Sequence, residues 1–327
     1  MKTALVTGAN GFIGSHLLEA LCREKIHVRC LVRNTSDLRW IQHLNIEVIH
    51  ADLGNIDTLL KPVQDSNMIF HLAGATKAFD QKAFHAANVV ATKNLLEAAL
   101  SNQSNLKRFL FVSSQAASGP SQDGTPVKES DASHPLTLYG KSKLDAERVV
   151  LSYADRLPVT IARPPSVFGP RDRDMLKIFK AIKFGTKPVL GWKPQYASFI
   201  FVEDLVNGLI QAAESDQSIG KTYFLATEQK INLEHFNNIV AEVMGKKAFK
   251  IHIPIWMFAA IALIREAVSR ITHKPDIINW DKVKEFRERF WICDSSQAGK
   301  EIQFKPSYDL NTAIKRTYDW YVQQGWL

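Results

Sequence analysis

The stretch Thr3-Ala-Leu-Val-Thr7-Gly8-Ala9-Asn10-Gly11-Phe12-Ile13-Gly14-Ser-His-Leu-Leu18 decides the fold. A short apolar, β-branched run meets three glycines spaced three apart, and a helix-period apolar run follows. Gly8 permits a tight turn, Gly11 lets the backbone approach a pyrophosphate, and Gly14 allows a helix to pack closely on a strand. Asn10, Phe12 and Ile13 complete the cradle, and the free amides at the helix start face negative phosphates. Strand, glycine turn and helix in this order are the context of a dinucleotide-binding loop.

Outward from this turn, apolar runs alternate with helical patterns. The spacing predicts strands over Thr3–Thr7, Val28–Val32, Glu47–His50, Met68–Leu72, Phe109–Val112 and Val159–Arg163. It predicts helices over Phe12–Arg23, Thr35–His43, Ile56–Val63, Gln81–Leu100 and Tyr139–Tyr153. Such alternation implies an α/β fold, a Rossmann-type doubly wound parallel sheet with helices on both faces. Gly119 to Pro135 breaks the rhythm as a long loop, a length often functional in a compact domain. Pro164-Pro165 and Gly169-Pro170 mark an exit from the sheet. A strand at Ser198–Val202, a helix at Glu203–Ala213 and a strand at Thr222–Leu225 return to it. The expected organisation is a dinucleotide-binding domain over residues 1–165, rejoined by 196–226. A smaller, mainly helical substrate lobe takes 166–195 and 227–327.

Tyr139 and Lys143 stand four apart, so a helix puts them on one face. A cation beside a phenol favours the phenolate, so the Tyr139 pKa is expected to fall toward the range of proton transfer. Lys141, at i+2, points elsewhere. Ser113-Ser114 lies between the glycine turn and this pair. Ser114 is the expected donor to a reacting oxygen, with Ser113 on the opposite face of its strand. The second strand ends in Leu31-Val32-Arg33-Asn34, with no acid until Asp37. An acid there would bind a ribose 2′-hydroxyl, whereas Arg33 suits a 2′-phosphate. NADP is therefore the expected cofactor, with NAD as the alternative.

The Gly-x-x-Gly-x-x-Gly spacing and Tyr139-x-x-x-Lys143 resemble the extended branch of the short-chain dehydrogenase/reductase family. Further marks are Asp52-Leu53, His71-Leu72-Ala73-Gly74, Asn88 with Thr92-Lys93-Asn94, Ser113-Ser114, Arg163-Pro164, Val202-Glu203-Asp204-Leu205 and Trp320-Tyr321. The resemblance covers nearly the whole chain. It implies that Asp52 and Leu53 flank the adenine, and that Ala73, Gly74 and Ala75 line the cofactor groove. Asn88, Ser113 and Pro164 join the cofactor site. Lys143 holds the nicotinamide ribose, and Ser114 and Tyr139 act on the reacting oxygen. His71 is read as packing. Nucleotide-sugar members often have Arg-Tyr-x-Asn where this chain has Arg163-Pro164-Pro165-Ser166, and Arg-Asp where it has Ala197-Ser198. Arg171 and Arg173 remain as anion contacts. The Arg-Pro form is more similar to hydroxysteroid dehydrogenase and dihydroflavonol reductase relatives. Trp192, Tyr196, Trp256, Phe258, Phe290 and Trp291 add aromatic surface in the substrate half. The expected activity is hydride transfer between a nicotinamide and a bulky, apolar alcohol or carbonyl. A nucleotide-sugar epimerase or dehydratase is the alternative, and a non-catalytic cofactor sensor comes third.

The 327 residues are 46% hydrophobic and 23% charged, which allows a sizeable core. The net charge is +8. The basic residues look scattered, which argues against nucleic acid as a partner. Three cysteines form no CxxC, so a reducing cytoplasm is expected. The N-terminus lacks the apolar region of a signal peptide. The ten histidines show no metal-ligand spacing, so no metal is expected. Ile253–Ile264 is uncharged and apolar but too short to span a bilayer. It is expected as a helix buried over the substrate pocket. Peripheral membrane contact, with Arg265, Arg270 and Lys274 following, is the alternative, and a partner interface comes third. A C2 homodimer is the default assembly.

Overall fold

The computed structural model describes residues 2–102, 104–227, 230–272 and 280–327. Six parallel strands form the first half of a sheet: β1 (Thr3–Thr7), β2 (His27–Val32), β3 (Glu47–His50), β4 (Met68–His71), β5 (Arg108–Val112) and β6 (Val159–Arg163). Further strands are β7 (Ser166–Phe168), β8 (Thr186–Leu190), β9 (Tyr196–Ala197), β10 (Phe199–Phe201), β11 (Thr222–Phe224), β12 (Ile231–Asn232), β13 (Phe249–Ile253) and β14 (Phe290–Trp291). The main sheet has seven strands in the order β11-β6-β5-β4-β1-β2-β3, every pair parallel. The order reverses between β1 and β4. Open parallel sheets bind ligands at such a switch point, beyond the carboxyl ends of the strands.

The helices are α1 (Phe12–Arg23), α2 (Asp57–Val63), α3 (Gln81–Phe84), α4 (Ala91–Leu100), α5 (Gln115–Ser118), α6 (Leu138–Leu151) and α7 (Leu176–Lys183). They continue with α8 (Val202–Glu214), α9 (Leu233–Val243), α10 (Ile255–Thr272), α11 (Trp280–Arg287), α12 (Ser296–Ile302) and α13 (Leu310–Gln323). A π-helical turn, His85–Val90, joins α3 to α4, so the expected Gln81–Leu100 helix is continuous but widened at its centre. One core unites α1 and α8 with one face of the sheet, and a second unites α2, α4 and α6 with the other. Strands such as β1 and β5 are buried along their whole length, which is why they read as unbroken apolar runs. A third core, around Phe168, Phe179, Phe199 and Phe236, belongs to the second half of the chain.

Two expected elements differ. Thr35–His43 is a series of turns, not a helix. Asp37 accepts from the Arg39 amide and pairs with the Arg39 guanidinium, holding the backbone in a local turn that competes with a helix. Ile41 still reaches the core. The segment Ile253–Ile264 is not a buried helix. It opens α10, whose inward stripe is Ile255, Phe258, Ala259, Ala262 and Ser269. The bulkier Trp256, Ile261, Leu263, Ile264, Val268 and Ile271 face outward. Packing on α11, where Phe258 meets Phe286 edge to face at 5.0 Å, takes up only the smaller side of the helix. The side chain of Arg270 and the whole of Lys274 lie outside the described residues.

Candidate active site

The glycine turn sits at the switch point. Gly8 has φ +69°, and a Cβ there would lie 2.7 Å from the Ala73 amide nitrogen. A Cβ on Gly14 would collide with the Gly8 carbonyl oxygen. The first positions therefore need glycine for close approach between β1, α1 and the segment after β4. Gly11 is the N-cap of α1 and gives no side-chain cap to the helix. The first-turn amides, including those of Phe12 and Ile13, are left for an anion. Asn10 reaches across to the Asp37 carbonyl at 3.4 Å. Arg33 is exposed at the end of β2, and among the described residues its guanidinium meets no carboxylate. Asp52 is occupied locally, accepting from the Gly54 amide at 2.8 Å. The Leu53 carbonyl is held by Asn94 at 2.9 Å.

Below the groove runs a chain of neutral hydrogen bonds. The Ala73 amide donates to Thr7 Oγ1 (3.2 Å), and Thr7 Oγ1 meets His71 Nδ1 (2.7 Å). His71 Nε2 meets Thr92 Oγ1 (3.0 Å), which donates to the Asn88 carbonyl (2.6 Å). Because Thr92 spends its hydrogen on Asn88, His71 carries its proton on Nε2 and accepts at Nδ1. Burial, then the Lys143 charge, pushes the His71 pKa down to about 3, so the ring is neutral. His71 is thus packing that fixes the groove. Asn88 holds both backbone groups of Ala75, accepting at 2.7 Å and donating at 3.0 Å. It also donates to Ser142 Oγ at 2.8 Å. Ser142 in turn donates to the Tyr139 carbonyl at 2.7 Å. The π-helical turn aims Asn88 at this task, a use in keeping with where such turns occur.

Ser114, Tyr139 and Lys143 come together because α5 and α6 pack backbone to backbone. A Cβ on Gly140 would strike the Ala116 carbonyl oxygen. Ser114 caps α5, accepting from the Ala116 amide at 3.1 Å, and its hydroxyl stands near enough to the Tyr139 phenol to favour the phenolate. Thr137 caps α6 by accepting from the Gly140 amide at 3.0 Å. Lys143 Nζ donates to the Val112 carbonyl at 2.7 Å, lies 4.4 Å from the Phe111 ring centre and approaches Gly74. Ser113 Oγ is buried and has no partner among the described residues. The Pro164 carbonyl accepts from the Gln115 amide at 2.9 Å, closing the strand end behind Ser114. An uncapped helix start, glycine positions that a Cβ would fill and the orphaned Ser113 hydroxyl together fit a dinucleotide in this groove.

The pKa expectation for Tyr139 reverses. Burial pushes it up to about 12, outweighing the nearby Ser114 hydroxyl, which favours the phenolate, and Glu285 pushes in the same direction as burial. Burial also pushes Lys143 down to about 8, against the pull of Glu147. A low-dielectric site disfavours both charged forms, and the ammonium is already engaged by a carbonyl.

Some contributors carried no sequence signal. Asp281 of α11 accepts from the Leu138 amide at 2.7 Å, and Glu285 lies within electrostatic reach of Tyr139, so α11 roofs the site from over 140 residues away. The loop 119–135 is stitched to the second half: Ser121 donates its amide to the Phe290 carbonyl (2.8 Å), and Val127 to that of Ile292 (3.1 Å). Arg171 is no anion contact, because it bonds Ser15 and Glu19 on α1. Arg173 lies 5.5 Å from the Trp326 ring centre, on that same side of the molecule. Arg171 and Glu19 border a cavity of about 410 Å³ also lined by His16, Glu203 and Arg316, and Tyr139 is not among its lining residues. Arg163 is also committed, forked onto Glu147 at 2.9 and 2.6 Å in a buried pair.

The comparisons with known proteins agree with this geometry. The model of the "NAD dependent epimerase/dehydratase family" matches residues 4–226. The chain is 28% identical to a ceramide reductase of Caulobacter vibrioides, over 98% of this chain and 95% of that one. It is 31% identical to a 4-hydroxy-2-methyl-3-oxo-4-farnesyl-3,4-dihydroquinoline-1-oxide ketoreductase of Stigmatella aurantiaca, covering 83% and 81%. Among solved structures, that of gox2253 superposes with a TM-score of 0.82 at 27% identity, covering 99% of both chains. A UDP-glucuronic acid 4-epimerase from Bacillus cereus, solved with NAD, shares the fold at 22% identity and a TM-score of 0.78. With the glycine turn, the switch-point groove and the Ser114–Tyr139–Lys143 cluster on one parallel sheet, the chain belongs to the NAD-dependent epimerase/dehydratase family, an NAD(P)-dependent oxidoreductase of the extended short-chain dehydrogenase/reductase type.

Proposed function

We propose that the protein is an NADP-dependent reductase, or dehydrogenase in reverse, of a bulky apolar carbonyl compound. The observation that carries this reading is the pairing of an acid-ready Tyr139 with a diphosphate-poor substrate side. Tyr139 stands beside Ser114, while Arg163 is locked to Glu147 and Arg171 to Glu19. A bound reduced nicotinamide supplies the hydride. As negative charge builds on the carbonyl oxygen, Tyr139 delivers its proton there, and Ser114 donates a second hydrogen bond. Lys143 sets the charge beneath that oxygen and holds the ribose. With a pKa raised to about 12, Tyr139 keeps its proton at neutral pH, which suits donation more than abstraction. Arg33, exposed and unopposed by an acid, supports NADP over NAD. The names of the ceramide reductase and the farnesyl-quinoline ketoreductase describe large apolar substrates, and these support the substrate class. The three free thiols fit a reducing cytoplasm. Val90 and Leu151, apolar and exposed beside the α4–α6 packing, offer a face for a homodimer.

The test is to incubate the purified protein with NADPH and a panel of long-chain and ring ketones, with UDP-glucose as the contrasting substrate. Loss of the reduced-nicotinamide absorbance with the ketones is expected. Tyr139→Phe should cut that rate about 10²–10⁴-fold while NADPH still binds. Conversion of the sugar with no net nicotinamide change would overturn the proposal.

A further inference from the structure

We infer that α10 and the β8–β13 pair form a docking face for an anionic lipid bilayer. The first ground is an inverted helix. A surface helix buries its apolar stripe and shows polar residues to water. In α10 the inward stripe holds Ile255 and Phe258 at its start and then only Ala259, Ala262 and Ser269, while Trp256 (72% exposed), Ile264 (65%) and Ile271 (79%) face out. The second ground is continuity. β13 runs directly into α10, and its partner β8 lies alongside it in parallel register. At one end of this pair Phe184 and Phe249 are each 81% exposed. At the other, Trp192 stacks on His252 at 4.4 Å. Apolar residues flanked by tryptophans suit the boundary between headgroups and acyl chains.

The third ground selects the occupant. Residues 175–202 contain five lysines and no acid. Residues 243–265 contain three lysines, Arg265 and no acid. These two segments, which the β8–β13 pairing brings together, carry nine basic and no acidic residues. The whole chain has 41 basic and 33 acidic residues, so all the rest comes to one net negative charge. Two of the nine, Lys177 and Lys250, pair with Asp174 and Glu234; basic residues that look scattered in the sequence are brought into two adjoining segments by the β8–β13 pairing. Lys180, Lys183, Lys193, Lys246 and Lys247 stand exposed around the apolar patch. A second copy of this chain would set this positive face against its like. A negative lipid surface complements it. Among the described residues no helix is long and apolar enough to cross a membrane, so the attachment is interfacial. α10 packs on α11, and α11 roofs Tyr139, so the docked face adjoins the mouth of the site. The purpose of docking, access to an apolar substrate dissolved in the bilayer, rests on the proposed function. The docking itself does not.

The experiment is co-sedimentation of the full chain with phosphatidylcholine vesicles made with and without phosphatidylglycerol, at low and at molar salt. Partition onto the anionic vesicles is expected, with a fall of about tenfold or more on neutral vesicles or in high salt. The double variant Trp256→Glu/Ile264→Glu should lose at least about tenfold in partition and keep its NADPH affinity. Lys183→Gln/Lys193→Gln should weaken binding roughly fivefold for each charge removed, and it avoids any folding fault of the first variant. Equal partition by wild type and both variants, or no partition at low salt, overturns the inference. So does a change of oligomeric mass in the Trp256/Ile264 variant without vesicle binding, which would assign the face to another copy. Vesicle binding in a protein that turns over only the sugar would leave this inference standing and remove the substrate reading.

Discussion

His71 should make the protein acid-sensitive by a calculable amount. The ring is fully buried, and its neutral form is fixed by Thr7 on one side and Thr92 on the other. In the unfolded chain a histidine takes up a proton near pH 6.5; in the folded protein burial postpones this to about 3. The folded pKa is depressed and the group is a base, so its contribution is fully present above pH 6.5. It is lost as pH falls from 6.5 toward 3. Each pH unit within that window removes up to about 1.4 kcal/mol, and the whole window about 5 kcal/mol. A typical domain is stable by about 5–15 kcal/mol, so this one ring can take a third or more of the total. The assay is urea unfolding at half-unit steps from neutral pH to about 4, for wild type and His71→Gln. Glutamine can donate and accept but does not titrate. Carboxylates and His16 titrate in both proteins and cancel in the difference. The wild type should lose one proton's worth of slope more than the variant below pH 6.5. Parallel stability curves across that range would refute the buried-neutral assignment.

Four other outcomes follow from the same geometry. Burial that lowers Lys143 to about 8 from 10.5 means that its charge destabilises the fold at neutral pH by about 3 kcal/mol. Lys143→Met should therefore raise the urea midpoint while abolishing turnover, and an unchanged or lower midpoint would contradict the burial argument. NADPH affinity, followed by its fluorescence, should weaken above about pH 8 in the wild type as that ammonium deprotonates, and should be flat with pH in Lys143→Met. Gly14→Ala, with its Cβ driven at the Gly8 carbonyl, should cost about 1–3 kcal/mol and abolish dinucleotide binding; calorimetric titration reads the loss. Arg33→Glu should shift preference from NADP to NAD by about tenfold or more, as a charge-assisted contact becomes a repulsion, and steady-state rates with each cofactor test it.

What the sequence disclosed follows the range of the forces involved. β1, β3 and β6 and the helix α1 match their expected limits because local pattern and glycine sterics set them. The Ser114–Tyr139–Lys143 cluster was also legible, since α5 and α6 are neighbours in the chain and Gly140 is the contact between them. Thr35–His43 misled because its apolar spacing is helical, while the Asp37–Arg39 contacts that hold its turns are a matter of side-chain geometry. Asp281 and Glu285 had no local mark at all. They matter only because α11 folds back over α6, a long-range contact that no spacing rule reports.

The reversal at Tyr139 has the same origin and a chemical consequence. Spacing alone says that an ammonium four residues away should draw the proton off the phenol. Spacing does not say how dry the site is. In the folded chain both groups lose water, Lys143 turns to the Val112 carbonyl and over the Phe111 ring, and the penalty on the phenolate exceeds the pull of Ser114. The resting site therefore holds a protonated phenol above a lysine whose charge is itself costly. Stabilisation of a developing oxyanion requires that lysine to stay charged, and ribose hydroxyls accepting from Nζ would replace part of the water it has lost. Binding of the dinucleotide should thus raise the Lys143 pKa and lower that of Tyr139 together. This couples cofactor loading to the readiness of the acid. The coupling is visible as proton uptake on NADPH binding near pH 8, measured by calorimetry in buffers of different ionisation enthalpy. Binding with no proton uptake in that range would mean that Lys143 does not meet the cofactor.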